Sequence, residues 1–223
     1  MPVRLSVNLN KVALIRNARG SNHPDLIQFA KDCEEFGAQG ITVHPRPDER
    51  HVRFGDLPLL KEVVTTEFNI EGNPTPHFIQ QVLEVKPRQV TLVPDAPDAL
   101  TSDAGWDTIK YKDFLTDVIF QFKKSGIRVS LFIDPDNELI AGAKELGAHV
   151  IAITNVKHSS STTPRHSSNK RLMDVADVII DNCGEIGDAS VKVEGVEPLM
   201  APTSSFANSI IAQLYSLEIA SIL

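Results

Sequence analysis

The stretch of sequence best suited to chemistry is ITVHPRPDERH, residues 41–51, where cationic residues crowd behind a short apolar run. These residues are His44, Arg46, Arg50 and His51. Such groups suit a phosphate dianion, because charge-assisted hydrogen bonds are short and strong and an arginine can contact two oxygens at once. The residues alone leave open which ligand this stretch binds. The alternative is a solvated loop in which the two arginines pair with Asp48 and Glu49.

Polar or charged residues also stand at the carboxyl ends of the other predicted strands. They are Asn8, Asn10, His44, Glu71, Asp95 and Asp134. A closed barrel of parallel strands directs all such ends to one mouth, whereas an open doubly wound sheet gathers only those near its switch point. The pattern favours the barrel and leaves the open sheet as the alternative. A carboxylate such as Glu71 inside an otherwise apolar strand costs stability unless a site uses it.

Alternating strand and helix patterns position these residues. Apolar, β-rich runs predict strands over 4–10, 40–45, 67–72, 89–95, 127–134 and 149–154. Apolar residues at i, i+3 and i+4 predict helices over 24–37, 56–64, 76–86, 112–126 and 137–147, with Gly37, Gly126 and Gly147 at helix carboxyl ends. Near-continuous apolar strands separated by helices predict a parallel sheet covered by helices, in one α/β domain over 1–223.

The sequence changes character after residue 154. Residues 155–170 are rich in Ser and Thr and predict a mobile, solvated loop. His158, Arg165 and His166 in this loop could add cations to the site, although a solvated role is the favoured interpretation. A short helix at 170–176, strands over 177–182 and 190–195, and a last apolar helix capped by Thr203 or Ser204 complete the pattern. A regular barrel would place a helix between the last two strands.

Composition narrows the class of function. The chain has 223 residues, a formal net charge of -7 and a pI near 5.5, so nucleic acid and anionic membranes are not expected partners. Cys33 and Cys183 are expected to be buried apolar residues rather than a disulfide. No signal peptide or membrane span is expected, which predicts a soluble, cytoplasmic protein. Asp181, Asn182 and Asp188 lack a defined ligand motif, so neither a metal nor a cofactor is predicted.

Residues 4 to about 135 contain a series of distinctive motifs, which are SVNLNKVALIRNARG, GITVHPRPDERHVR, FNIEGNPTPHFI, KPRQVTLVPD, TSDAGWD and SGIRVSLFIDPD. Through these motifs the segment resembles pyridoxine 5'-phosphate synthase, a barrel enzyme of vitamin B6 biosynthesis. The resemblance implies condensation of 1-deoxyxylulose 5-phosphate with 3-amino-2-oxopropyl phosphate. Asn10-Lys11 departs from the Asp-His common in that family.

The same resemblance implies roles for individual residues. His44 is expected to accept a proton, Glu71 to act as a second general base, and Arg46 and His51 to hold a phosphorylated substrate. Further substrate contacts are implied for Asn8, Arg19 and Thr101. Proton transfers and loss of water in such a condensation suit a histidine and a glutamate at one mouth.

Residues from about 138 onward include ELIAGAKELGAHVIAITNVKHSS, DVADVIIDNCGEIGDASVKVEG and APTSSFANSIIAQ. They resemble the C-terminal half of sugar isomerase (SIS) domain proteins, which are flavodoxin-like phosphosugar-binding modules. The chain is therefore predicted to be a hybrid, engineered or natural, of a half-barrel over 1–137 with five βα units and a flavodoxin-like segment over 138–223. The family's later glutamate, proton-donating histidine and glycine-rich phosphate turns are absent, so little turnover and residual phosphate binding are expected. The alternatives are a working synthase and a phosphosugar-binding module. The last helix could also form a homo-oligomer contact.

Overall fold

The computed structural model describes residues 5–95, 104–134, 136–165, 167–192, 194, 197 and 200–202. The chain forms two compact units, Arg4–Asp134 and Pro135–Leu223. The assignment of 1–223 to one domain with segments 1–137 and 138–223 stays a prediction.

The first unit alternates strands and helices, as the sequence predicts. Its elements are β1 (Ser6–Asn8), α1 (Asn10–Arg19), α2 (Leu26–Glu35), β2 (Gly40–Val43), α3 (Asp56–Val63), β3 (Glu67–Gly72), α4 (Pro76–Val85), β4 (Gln89–Leu92), α5 (Lys112–Lys124) and β5 (Arg128–Leu131). The five strands form one parallel sheet in the order β1-β2-β3-β4-β5. The prediction of a parallel α/β fold is confirmed. An open doubly wound sheet reverses its strand order at a switch point, and this order has no reversal.

Helix ends follow the capping chemistry of the sequence. The Asp25 carboxylate accepts hydrogen bonds from the first N–H groups of α2, and Thr75 does so for α4. The three predicted glycines follow helices with φ between 76° and 99°. Helix α1 was not predicted, because it has no side-chain cap and buries only Ala13 and Arg16, so its apolar residues show no helical period.

The strands are not continuously apolar, which corrects the sequence interpretation. Every strand of the sheet alternates, and successive side chains of a strand point to opposite faces. One face carries the apolar core residues, which include Ile41, Val43, Phe68, Ile70, Val90 and Leu92, and the half-buried Val7. The opposite face, here called the polar face, carries Ser6, Asn8, Thr42, Asn69, Glu71, Thr91 and Ser130.

Hydrogen bonds join the middle of the polar face across four strands. The hydroxyl oxygens of Ser6 and Thr42 lie 2.7 Å apart, and Asn69 Nδ2 donates to Thr42 Oγ1 at 3.3 Å. Asn69 Oδ1 in turn accepts from Thr91 Oγ1 at 3.0 Å. Thr42, Asn69 and Thr91 are buried. Buried polar groups of this kind are tolerated because they hydrogen-bond one another.

The second unit is built from shorter elements. They are α6 (Asn137–Glu145), β6 (Ile151–Thr154), α7 (Val156–Ser161), α8 (Leu172–Val175), β7 (Val178–Asp181), β8 (Ala189–Val191) and β9 (Met200–Pro202). Strands β6 and β7 pair in parallel, and β8 and β9 pair antiparallel. The predicted last helix, with Thr203 and Ser204, lies outside the described residues.

The interpretation of 155–170 as a solvated loop is wrong in its first half. Asn155 caps α7 by accepting from the His158 N–H at 2.9 Å, and the Arg171 guanidinium donates to the carbonyls of Ser159 and Thr162 at 2.6 and 2.9 Å. His158 Nδ1 accepts from the Gly187 N–H at 3.2 Å. Local side-chain contacts to the backbone therefore order this segment. Arg165 is exposed, and His166 lies outside the described residues.

Cys33 is half-buried and Cys183 is exposed, so the prediction that both are buried is wrong. Asp181 Oδ1 accepts hydrogen bonds from the backbone N–H groups of Val156 and Cys183. This carboxylate oxygen therefore serves in local backbone contacts. Within the part of the chain that the structure describes, no three His, Cys, Asp or Glu side chains group as a metal site, and no helix is long and apolar enough to cross a bilayer.

Candidate active site at the strand ends

The register of the sheet brings the predicted strand-end residues to one edge. Asn8 pairs with Thr42, Val43 with Ile70, and Glu71 with Thr91. Because all strands are parallel, their carboxyl ends lie along the same edge. This edge carries Asn8, His44, Glu71 and Asp95.

His44 directly follows β2, and the structure buries it to 7% exposure. Its backbone N–H donates to Asn10 Oδ1 at 2.8 Å, while the Asn10 N–H donates to Asn8 Oδ1 at 2.9 Å. Burial lowers the pKa of His44 from 6.5 to about 4, against the opposing charge of Asp95 and with help from nearby cations, Arg46 first among them. The imidazole is therefore neutral at neutral pH and able to accept a proton.

Arg46 is buried to 3% exposure, and its Nη1 lies 3.3 Å from Asp95 Oδ2. The alternative in which both arginines pair with neighbouring acids on a solvated loop is thus wrong for Arg46. It holds for Arg50, whose Nη1 lies 3.3 Å from Asp48 Oδ2 with both side chains partly exposed. A guanidinium stays charged at all relevant pH values, so Arg46 and Arg50 supply fixed positive charge here.

Glu71 lies on the polar face next to the end of β3, and its side chain is only partly exposed. Burial raises the pKa of this carboxyl, and the nearby charge of Asp95 raises it further. The next residue is Gly72, where any side chain would collide with the ring of Phe78 in α4. Close packing of β3 on α4 therefore requires glycine beside Glu71. A carboxylate with a raised pKa is a stronger base than an exposed one.

His51 is half-buried in the segment between β2 and α3. Burial lowers its pKa, as do the charges of Arg50 and Arg46. Its Nδ1 is buried and has no hydrogen-bond partner among the described residues. The prediction that both histidines act as cations is corrected by the lowered pKa values of His44 and His51.

Two of the predicted substrate contacts are exposed. Arg19 is the last residue of α1, and Asn8 ends β1, where its Oδ1 accepts from the Asn10 N–H. Thr101 lies outside the described residues. Two further residues contribute to the site, although no role was predicted for them. Asn10 accepts a hydrogen bond from the His44 backbone N–H. Asp95 forms an ion pair with Arg46, and its charge raises the pKa of Glu71. Their signal was present, because both were noted as polar residues at strand ends.

The cluster combines a neutral imidazole, a buried guanidinium and a carboxyl of raised pKa at one edge of a parallel sheet. Comparison with known proteins identifies the family. Residues 5–184 match the family described as "Pyridoxal phosphate biosynthesis protein PdxJ". The chain belongs to the PdxJ family.

Curated relatives agree with this assignment. Pyridoxine 5'-phosphate synthase of Cytophaga hutchinsonii is 59% identical over 158 residues, which are 71% of this chain and 66% of the relative. The enzymes of the same name from Christiangramia forsetii and Porphyromonas gingivalis are 59% and 57% identical over 150 residues, each 67% of this chain and 63% of the relative. The chain thus spans less than two thirds of the length of these relatives. A solved mandelate oxidase superposes with a TM-score of only 0.42 at 9% identity, over 64% of this chain and 52% of that chain.

These matches confirm one resemblance and correct the other. The likeness of 4–135 to the synthase is confirmed. The PdxJ match continues across the predicted junction near residues 135–140 and ends at 184. The interpretation as an engineered or natural hybrid with an SIS-like second ancestor and a largely inactive half-site is therefore wrong.

Proposed function

We propose that this PdxJ-family chain is a pyridoxine 5'-phosphate synthase, which condenses 1-deoxyxylulose 5-phosphate with 3-amino-2-oxopropyl phosphate. The observation that carries the proposal is the cluster at the sheet edge, where His44 and Glu71 flank the buried Arg46–Asp95 ion pair. The curated relatives bear the name of that enzyme.

Proton transfer is assigned to His44 and Glu71, whose pKa values are changed by burial. His44, neutral at neutral pH, accepts a proton from a substrate carbon or amine. Glu71 acts as a second base, because its raised pKa increases the affinity of the carboxylate for a proton. General base catalysis of this kind contributes typically about 10²–10⁴-fold in rate.

Substrate phosphate is assigned to the arginines and His51. Arg46 and Arg50 lie between His44 and His51 in the sequence and supply positive charge. His51 Nδ1 is a buried nitrogen that can bond a phosphate oxygen. A bound dianion beside His51 favours the protonated imidazole, in which both ring nitrogens donate hydrogen bonds. Asn8, Arg19 and Thr101 remain proposed substrate contacts. Phosphorylated metabolites are the proposed partners.

The sheet is proposed to be part of a closed βα-barrel. Strands β1 to β5 are adjacent in chain order, as barrel strands are, and their polar face would line the interior. A polar interior explains why Ser, Thr and Asn alternate with apolar residues in each strand. Cytoplasmic location and a homo-oligomer contact through the last helix remain predictions.

The test is formation of pyridoxine 5'-phosphate from the two substrates by the full chain. Glu71→Gln is expected to lower kcat by about 10²-fold or more. Glu67→Gln is the matched control, because Glu67 lies on the same strand and face but at the opposite edge, paired with Arg128. Absence of product from the unchanged protein, or equal loss in both variants, would overturn the proposal.

A further inference from the structure

The segment between β2 and α3, residues 44–55, carries the cations of the proposed phosphate site and is called here the phosphate loop. It includes a turn in which the Glu49 N–H donates to the Arg46 carbonyl at 2.9 Å. Glu49 has φ of 52°, in the left-handed region that non-glycine residues seldom adopt. A residue stays in such a conformation only when its surroundings hold it there.

Asn17 of α1 provides that restraint from outside the loop. Its Nδ2 lies 3.1 Å from the carbonyl oxygen of Glu49, 3.0 Å from that of Arg50 and 2.6 Å from that of His51. Three successive carbonyl oxygens converge on one amide group. Because such oxygens repel one another, this backbone path needs a donor at their centre.

Arg16 fixes the orientation of that amide. Its Nε donates to Asn17 Oδ1 at 3.2 Å. A guanidinium only donates hydrogen bonds, so the amide oxygen must face Arg16 and the amide N–H₂ must face the loop. At all four contacts of the Asn17 amide, a donor therefore faces an acceptor.

Arg16 also holds the far end of the loop. Its Nη1 and Nη2 donate to the two carboxylate oxygens of Asp56 at 2.8 and 2.9 Å, and both side chains are largely buried. Asp56 Oδ2 accepts in addition from the Arg53 N–H at 2.8 Å. The paired geometry fixes direction as well as distance, so α1 restrains the loop at residues 49–51 and again at 53–56.

We propose that Arg16 and Asn17 are positioning residues for phosphate binding, which act by holding the phosphate loop so that Arg50 and His51 face the substrate. This inference rests on the proposed function of the loop. Neither residue needs to touch the substrate. Their effect is to remove the loop's conformational freedom before the phosphate arrives, which lowers the entropic cost of binding.

Asn17→Ala tests the proposal, with Asn22→Ala as the control. Asn22 is an exposed asparagine in the connection from α1 to α2, whose amide donates to Asp25 Oδ2 at 2.9 Å. Amide hydrogen exchange at residues 49–54 is expected to accelerate about tenfold or more in Asn17→Ala, because three backbone contacts are lost, and to stay unchanged in Asn22→Ala. KM for the phosphorylated substrate is expected to rise by a similar factor, with a smaller change in kcat. Unchanged exchange in the loop, or a fall in kcat alone, would overturn the inference.

Arg16→Lys is the second variant, because it keeps the charge and loses the two-point contact with Asp56. Faster exchange at residues 53–56 supports the inference, and unchanged exchange contradicts it. If the unchanged protein forms no product, the synthase proposal fails, and affinity for inorganic phosphate, followed by NMR of His51, then decides the inference. A weaker phosphate affinity in Asn17→Ala than in Asn22→Ala supports it, and equal affinities overturn it.

Discussion

The guanidinium of Arg46 and the carboxylate of Asp95 form a buried ion pair at the sheet edge, with 3.3 Å between Nη1 and Oδ2 and side chains 4% and 8% exposed. The two residues are 49 positions apart in the chain. Removing one partner of a buried pair leaves the other charge in a medium that solvates it poorly.

Asp95→Asn is therefore expected to lower the free energy of unfolding by about 3 kcal/mol. The measurement is urea unfolding at neutral pH. Asp48→Asn is the control, because its pair with Arg50 is solvent-exposed and should contribute less than about 1 kcal/mol. Equal effects of the two substitutions would contradict a buried pair.

Glu71→Gln is expected to raise the melting temperature at pH 7 while it lowers turnover. The folded-state pKa of Glu71 is raised, so its contribution to stability is present below the ordinary carboxyl pKa and is lost as pH rises through the folded value. Glutamine removes this unfavourable charge. A melting temperature that falls in Glu71→Gln, measured by calorimetry, would mean that the carboxylate stabilises the fold.

His44 is expected to make stability depend on pH in the acid range. Its folded-state pKa of about 4 lies below the ordinary 6.5, so the unfolded chain binds the proton more tightly between these values. Stability is then fully present above pH 6.5 and is lost as pH falls toward 4, by up to roughly 3 kcal/mol. His44→Gln should flatten this part of the curve relative to the unchanged protein. An identical pH dependence in both proteins would show that other groups cause it.

Phosphate binding is expected to raise the pKa of His51. In the structure, burial and the charges of Arg50 and Arg46 lower this pKa, and a bound dianion supplies the opposite charge. An NMR titration of the imidazole with and without inorganic phosphate measures the change. His23, an exposed histidine before α2, serves as the reference signal in the same spectra. A parallel shift of both histidines would indicate an unspecific salt effect.

Asn69→Ala is expected to cost roughly 2 kcal/mol in the free energy of unfolding, because it leaves the hydroxyls of Thr42 and Thr91 without their shared partner. Gln80→Ala is the control, since Gln80 is exposed on α4 and its amide contacts Glu84. Its expected effect is within about 0.5 kcal/mol. Equal costs would mean that the buried chain of hydrogen bonds adds nothing.

The sequence by itself determined the elements that local chemistry specifies. The helical period of the apolar residues, together with Gly37, Gly126 and Gly147 at helix ends, marked the helix boundaries to within a few positions. The cationic stretch after β2 and the carboxylate of Glu71 were also visible, because their types and spacing are unusual for a strand end. The period-2 alternation in residues such as Thr42 and Asn69 was equally visible but was overlooked.

Only the tertiary structure decided which of these residues act together. Arg46 pairs with Asp95, and Asn17 contacts three loop carbonyls. Each of these contacts joins positions more than 30 residues apart, and no local sequence pattern encodes them. The charge states of His44 and Glu71 likewise depend on burial, which packing of the whole unit creates. Helix α1 was missed because Arg16, one of its two buried residues, is polar. Arg16 is buried because it pairs with Asp56 of α3.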